Sequence, residues 1–209
     1  CNVCPGFIRM AATMYYITWV MGQSTHFATL FISLGVVGMM IGSMLAKVLT
    51  DRWCKLQVFF WTNIVLAIFS CAFYFFNPHA TTLIMVLYFL LNILHQIPSP
   101  LHWSLMSDVD DYGEWKTGVR NDGFQYAFVS LGNKLGMAIG TSALAGVLST
   151  LSFAPNQVQN AAVQNAMHYA FSLLPGVLWL ITAIVLFFYR ISKRSYNQIM
   201  SELNAKKTG

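Results

Sequence analysis

Charge is scarce in this sequence: Asp, Glu, Lys and Arg together make up 9% of its 209 residues, against roughly 25% in an ordinary soluble domain. With 56% hydrophobic and 15% aromatic residues, that scarcity excludes a large soluble domain and makes lipid the expected solvent. Cysteine is thin as well. Cys1 and Cys4 form one Cys-x-x-Cys, and Cys54 and Cys71 supply no second pair, so a closed zinc site lacks its ligands and no metal is expected. The net charge of +5 comes without a basic face interleaved with aromatics, which removes nucleic acid as a partner. No basic stretch precedes a short apolar core and cleavage site, so a signal peptide is not evident, and a chain opening at Cys1 rather than Met is expected to start at a cut end.

What the chain has in abundance is long apolar runs. Six of them, at about 20 residues per membrane-spanning helix, cover residues 5–21, 28–49, 58–76, 82–106, 123–151 and 170–189, with a polar tail over 190–209. The expected fold class is therefore an all-α membrane protein with six transmembrane helices. Ten of the twelve basic residues fall on one side of this arrangement: Lys47, Arg52 and Lys55, then Lys116 and Arg120, then Arg190, Lys193, Arg194, Lys206 and Lys207. By the positive-inside rule those connections and the C-terminal tail face the cytoplasm. Only Arg9 and Lys134 lie within apolar runs. Arg9 sits in the middle of a short first span, which points to truncation; the alternative is a span beginning near Met10 with Arg9 snorkelling to the interface, which leaves too few apolar residues to cross about 30 Å.

The fourth run carries Asn92, His95, Gln96, Ser99, His102 and Trp103 at spacings that a 3.6-residue repeat gathers on one face. A polar stripe cannot face acyl chains. It either forms a hydrogen-bonded seam between helices or lines a solute cavity, and its length beside the break expected at Pro98 and Pro100 favours the cavity. In the fifth run Tyr126, Ser130, Asn133, Lys134, Met137 and Thr141 share a side, with Gly132, Gly136 and Gly140 about half a turn away from Lys134 at a spacing suited to close helix contact. Gly35, Gly38 and Gly42 repeat that device in the second run, and a helix contact is expected there. Lys134 lies too deep to snorkel easily, and no acid of this sequence shares its depth. Its partner is water, an anionic substrate, or a carboxylate on a part of the protein outside this chain.

Five of the seven acids crowd into 107–122, which reads as a charged loop. Asp108, Asp110 and Gly113 match three positions of a calcium loop, but Tyr112 and Val119 occupy positions that need ligands, so calcium is rejected. The run Asp108-x-x-Asp111-Tyr112-Gly113-Glu114-Trp115-Lys116-x-x-x-Arg120, followed by Gly123, Tyr126 and Lys134, resembles the cytoplasmic loop between helices ten and eleven of the glycoside-pentoside-hexuronide:cation symporters, a family within the major facilitator superfamily. Tyr15 and Tyr16, shortly before Gly22, resemble the end of that family's seventh helix.

The resemblance extends over essentially the whole chain. It implies that the six spans are helices seven to twelve, the C-terminal half of a twelve-helix carrier of the bacterial inner membrane, with a missing N-terminal six-helix half as partner. It further implies a sugar or sugar-acid substrate, H⁺ or Na⁺ as coupling cation, and no cofactor. In the family, acids on the missing half bind the cation and a helix-eleven lysine lies beside them; Lys134 matches that lysine, and the family's helix-ten sugar residues fall near Ser99. Asn92, His95, Gln96, Trp103, Tyr126, Ser130 and Asn133 are candidates from the polar faces alone. Asp108, Asp111, Tyr112, Gly113, Glu114, Lys116 and Arg120 are expected to hold the cytoplasmic gate.

The leading expectation is sugar:cation symport by alternating access, not enzymatic catalysis. A membrane enzyme or haem protein using His95 and His102 is weaker, because two histidines on one helix cannot clasp one haem from opposite sides. A third reading is a non-transporting fragment, or a half-transporter needing a separate N-terminal half. The sequence leaves the sugar open: Lys134 and the absence of acids on the polar faces suit a hexuronide, yet neutral glycosides are not excluded.

Overall fold

A computed structural model describes residues 3–119, 122–151 and 159–187, and those are all helices and short turns. The first span is α1 (Val3–Tyr15), prolonged by a π-helical turn at Tyr16–Val20 that closes with Met21 N–H donating to the Tyr16 carbonyl at 3.0 Å. Then follow α2 (Thr25–Arg52), α3 (Lys55–Phe73), α4 (Thr81–Gln96), α5 (Pro98–Thr117), α6 (Asp122–Thr150), α7 (Ala161–Phe171) and α8 (Leu173–Phe187).

Among the described residues, four helical runs are long and apolar enough to cross a membrane: Thr25–Arg52, Lys55–Phe73, Thr81–Thr117 and Ala161–Phe187. The chain is thus a multi-pass membrane protein by length and hydropathy. The other two expected spans do not meet that measure, α1 because it is short and α6 because Asp122, Asn133 and Lys134 with several serines and threonines dilute its apolar residues.

Three expectations about element boundaries are corrected. Pro98 and Pro100 do not break the helix path, for Ile97 keeps helical angles (φ −55°, ψ −46°) between α4 and α5. Proline's fixed φ suits a helix; what the pair removes is two hydrogen-bond donors. The charged stretch 107–122 is largely helix: α5 runs on to Thr117, because Asp, Tyr, Glu and Trp are all helix-compatible when flanks pack, and stops only at Gly118 (φ +72°). The last span begins near Ala161 instead of residue 170. Asn160 caps it, its side chain accepting from Val163 N–H at 2.8 Å, and Ser172 breaks it three residues before Pro175, which cannot continue the ladder.

Close backbone approach explains the helix pairing. Gly35, Gly38 and Gly42 face α4, where a Cβ on Gly38 would stand 2.9 Å from the Phe89 carbonyl and one on Gly42 would collide with that of Ile93. The expected α2 contact is therefore present. Gly176 does the same for α8 against α3, where a Cβ would meet Cys71 Sγ at 2.6 Å. On α6 only part of the expected stripe packs: Gly140 and Gly136 approach Ile8 and Cys4 of α1, whereas Gly132 faces open space.

An aromatic cluster joins the end of α1 to the starts of α2 and α4 and to α7. Tyr16 stacks on Phe171 (centroids 4.3 Å, 5°), Phe73 meets Phe171 edge-on at 5.2 Å, and Phe31 lies 4.2 Å from Tyr88. A smaller cluster of Ala46, Val58, Phe59, Ile97 and Leu101 ties the opposite end. Helix ends alternating between the two clusters are what antiparallel neighbours joined by short connections produce.

Candidate functional site: a polar cavity between the helices

Between the two clusters lies a cavity of about 320 Å³, in which Asn92, His95, Gln96, Ser99, Trp103 and Asn133 all take part. The polar stripe of α4 and α5 thus lines a cavity, as its length suggested. Asn92 is eleven residues beyond Thr81, about 16 Å along the helix axis at 1.5 Å per residue, or roughly half of a 30 Å hydrocarbon core. His102 also lines the cavity, and Gly6 lets α1 approach it closely, since a Cβ there would meet His95 Nε2 at 2.5 Å.

The residue that sequence reasoning placed least well is Arg9. Its mid-span position in the sequence points to truncation, with snorkelling as the alternative and no role assigned; it turns inward, 3% exposed, and lines the same cavity. Its Nη2 donates to Asn92 Oδ1 at 3.3 Å, while Asn92 Nδ2 donates to the Tyr88 carbonyl at 2.8 Å and so fixes the amide's orientation. The guanidinium lies over the rings of Trp179 and Tyr88, 5.4 and 5.9 Å from their centroids. Nη1 is buried without a hydrogen-bond partner among the described residues, and so is His95 Nδ1. A signal did exist: Arg9, Thr13 and Tyr16 are spaced as one helix face, and all three are buried.

The α6 candidates divide. Asn133 reaches the cavity, but Lys134, Ser130 and Tyr126 are not among the residues lining it. Tyr126, 57% exposed, leans on Trp103 with centroids 5.7 Å apart, at the cavity's edge. Lys134 is exposed and has no ion pair or hydrogen bond among the described residues.

At the far end of α5 the acids are turned inward. Asp108 and Asp111 are each 8% exposed, and Asp108 receives Lys55 Nζ at 3.0 and 3.3 Å, joining the start of α3 to α5. Tyr112, Gly113 and Glu114 are half-buried on the same helix and Lys116 is exposed. Arg120 and the tail from residue 188 lie outside the described residues. Among the described residues no cluster of three His, Cys, Asp or Glu side chains stands ready for a metal, and no carboxylate lines the cavity.

Comparison with known proteins supplies context for this geometry. A family model described as "MFS/sugar transport protein" matches residues 1–193. The chain is 35% identical over 97% of its length to the "Inner membrane symporter YicJ" of Escherichia coli, spanning 44% of that protein. It is 32% identical over 97% of its length to an "Uncharacterized 29.9 kDa protein in crtE 3'region" of Pseudescherichia vulneris, of which it spans 74%. It is 24% identical over 99% of its length to the "Glucuronide carrier protein homolog" of Escherichia coli, spanning 45% of it. The chain therefore spans a little under half the length of two of these three relatives.

Proposed function

Since the chain belongs to the MFS/sugar transport protein family, we propose that it serves as the C-terminal six-helix half of a twelve-helix sugar:cation symporter of the glycoside-pentoside-hexuronide type. The observation that carries this reading is the mid-depth cavity that gathers hydrogen-bonding side chains, Asn92, His95, Gln96, Ser99 and Asn133, beside Arg9 and several apolar residues. Amides and hydroxyls at that depth suit a polyhydroxylated solute, and a site near the bilayer midplane between two halves that rock is what alternating access requires. The six spans, the cytoplasmic C-terminus and the inner-membrane location belong to the same proposal, supported by the one-sided distribution of Lys and Arg.

In this scheme the chain supplies binding and gating rather than chemistry. Lys134 stands on the face of α6 that the rest of the carrier covers, where its charge is coupled to the cation-site carboxylates of the other half. Asp108, Asp111, Tyr112, Gly113, Glu114, Lys116 and Arg120 form the cytoplasmic gate. A chain separated from the other half binds and transports nothing by itself, because half of the site is then absent. The test is uptake by the complete carrier in right-side-out membrane vesicles. Sugar should accumulate when a proton or sodium gradient is imposed and leak back when that gradient is collapsed. Equilibration that ignores both gradients would sink symport, and no uptake of any sugar would sink transport.

A further inference from the structure

We propose that Arg9 is the specificity-determining residue of this cavity, binding the acidic group, carboxylate or sulfonate, of a sugar-acid substrate. The inference rests on the transport reading above and adds to it the charge of the substrate and the side chain that reads it. A guanidinium stays charged in proteins, and an enclosed charge is costly unless paired. What surrounds Arg9 compensates it only in part. It has one neutral acceptor, Asn92 Oδ1 at 3.3 Å, and two ring faces at 5.4 and 5.9 Å, while Nη1 has no acceptor among the described residues.

The cavity that Arg9 lines contains no carboxylate among the described residues, so the described walls do not provide the missing negative charge. Of the rest of the lining, Thr13, Asn92, Gln96, Ser99 and Asn133 suit hydroxyl groups, while Val3, Phe7, Met10 and Met39 offer apolar faces to a ring. An Arg fork beside several neutral amides is the arrangement that recognises one oxyanion on an otherwise uncharged polyol. Lys134, by contrast, does not line this cavity and is left to couple to the cation-site carboxylates of the other half.

The test uses the complete carrier in membrane vesicles with three probes: methyl β-D-glucuronide, the methyl glycoside of sulfoquinovose, and methyl β-D-glucoside. Wild-type protein should bind at least one of the two acids about 100-fold more tightly than the neutral glucoside, the difference expected of a charge-assisted pair; which acid it prefers separates carboxylate from sulfonate. Arg9→Gln should shrink that preference, so that the acid-to-glucoside ratio of dissociation constants falls from about 100-fold to about threefold or less, and Arg9→Lys should restore part of it. Equal wild-type affinity for all three probes overturns the proposal, needs no variant to fold, and leaves transport standing if the glucoside still accumulates. An Arg9→Gln protein, present in the membrane at normal amount, that loses all three probes alike also overturns it and makes Arg9 the partner of a carboxylate elsewhere in the carrier. Absence of uptake for every probe under every gradient removes the transport reading and this inference with it.

Discussion

Arg9 on α1 and Lys134 on α6 both stand near the middle of their helices, yet one is enclosed by Tyr88, Asn92 and Trp179 and the other is exposed on a face shared with Leu131 and Leu135. The helices differ in the same way. α1 buries five of its thirteen residues, whereas α6 buries only Gly140, Leu144 and Leu148 out of twenty-nine. An intramembrane cation is costly in either setting, so the contrast concerns where the compensation comes from. Arg9 draws on side chains of this chain, with no acceptor for Nη1 among the described residues; Lys134 draws on none of the described residues.

The largest expected effect comes from setting the two cations against each other in transport. Lys134→Val in the complete carrier should abolish accumulation, bringing the inside-to-outside ratio of a neutral glycoside to about one, the value for an uncoupled equilibrium that does not feel the membrane potential, while exchange of sugar across the membrane persists. Arg9→Gln should do the reverse, weakening binding of an acidic sugar and leaving whatever sugar still binds coupled to the gradient. Steady-state accumulation and exchange measured side by side decide it. If both variants give one phenotype, the division of labour between α1 and α6 fails.

A second comparison concerns the same two kinds of helix surface. Gly42→Val drives a branched side chain into the Ile93 carbonyl and Gln96 of α4, an overpacking that should cost about 1–3 kcal/mol. Gly132→Ala meets nothing within 4 Å and should stabilise α6 by about 0.5–1 kcal/mol through reduced backbone entropy. Thermal midpoints of the purified carrier, followed by fluorescence-detected size exclusion, check both. A destabilising Gly132→Ala would sharpen the picture, because it would mean that another part of the carrier presses against this face of α6.

What could be read from the sequence was what depends on local spacing. The stripe from Asn92 to Trp103 needs only a 3.6-residue repeat to be recognised, and the Gly35, Gly38 and Gly42 seam only a four-residue one. The inward turn of Arg9 was legible only in its spacing with Thr13 and Tyr16; what that face meets depends on Tyr88, Asn92 and Trp179, which lie far along the chain and converge only when α1, α4 and α8 pack. The helical course of Asp108 to Thr117 was missed for another reason. A run of charges reads as loop by composition, yet those residues break no helix, and Gly118 is the first that ends it. The Asp108 pairing with Lys55 was likewise hidden, since it joins helices 53 residues apart.

That ion pair offers the smallest effect and a third kind of cation for the comparison. Lys55 is compensated within this chain, as Arg9 is in part and Lys134 is not, but it lies at a helix start with its side chain 39% exposed. Solvent screening therefore limits the pair to about 0.2–1 kcal/mol, far below what an enclosed cation commands. A double-mutant cycle with Lys55→Met and Asp108→Asn, read as thermal stability at low and high salt, should return a coupling in that range that shrinks as salt rises. A larger, salt-insensitive coupling would mean that water does not reach this end of α5 in the assembled carrier. Lys55 and Asp108 would then act as part of a closed gate, in the same enclosed class as Arg9.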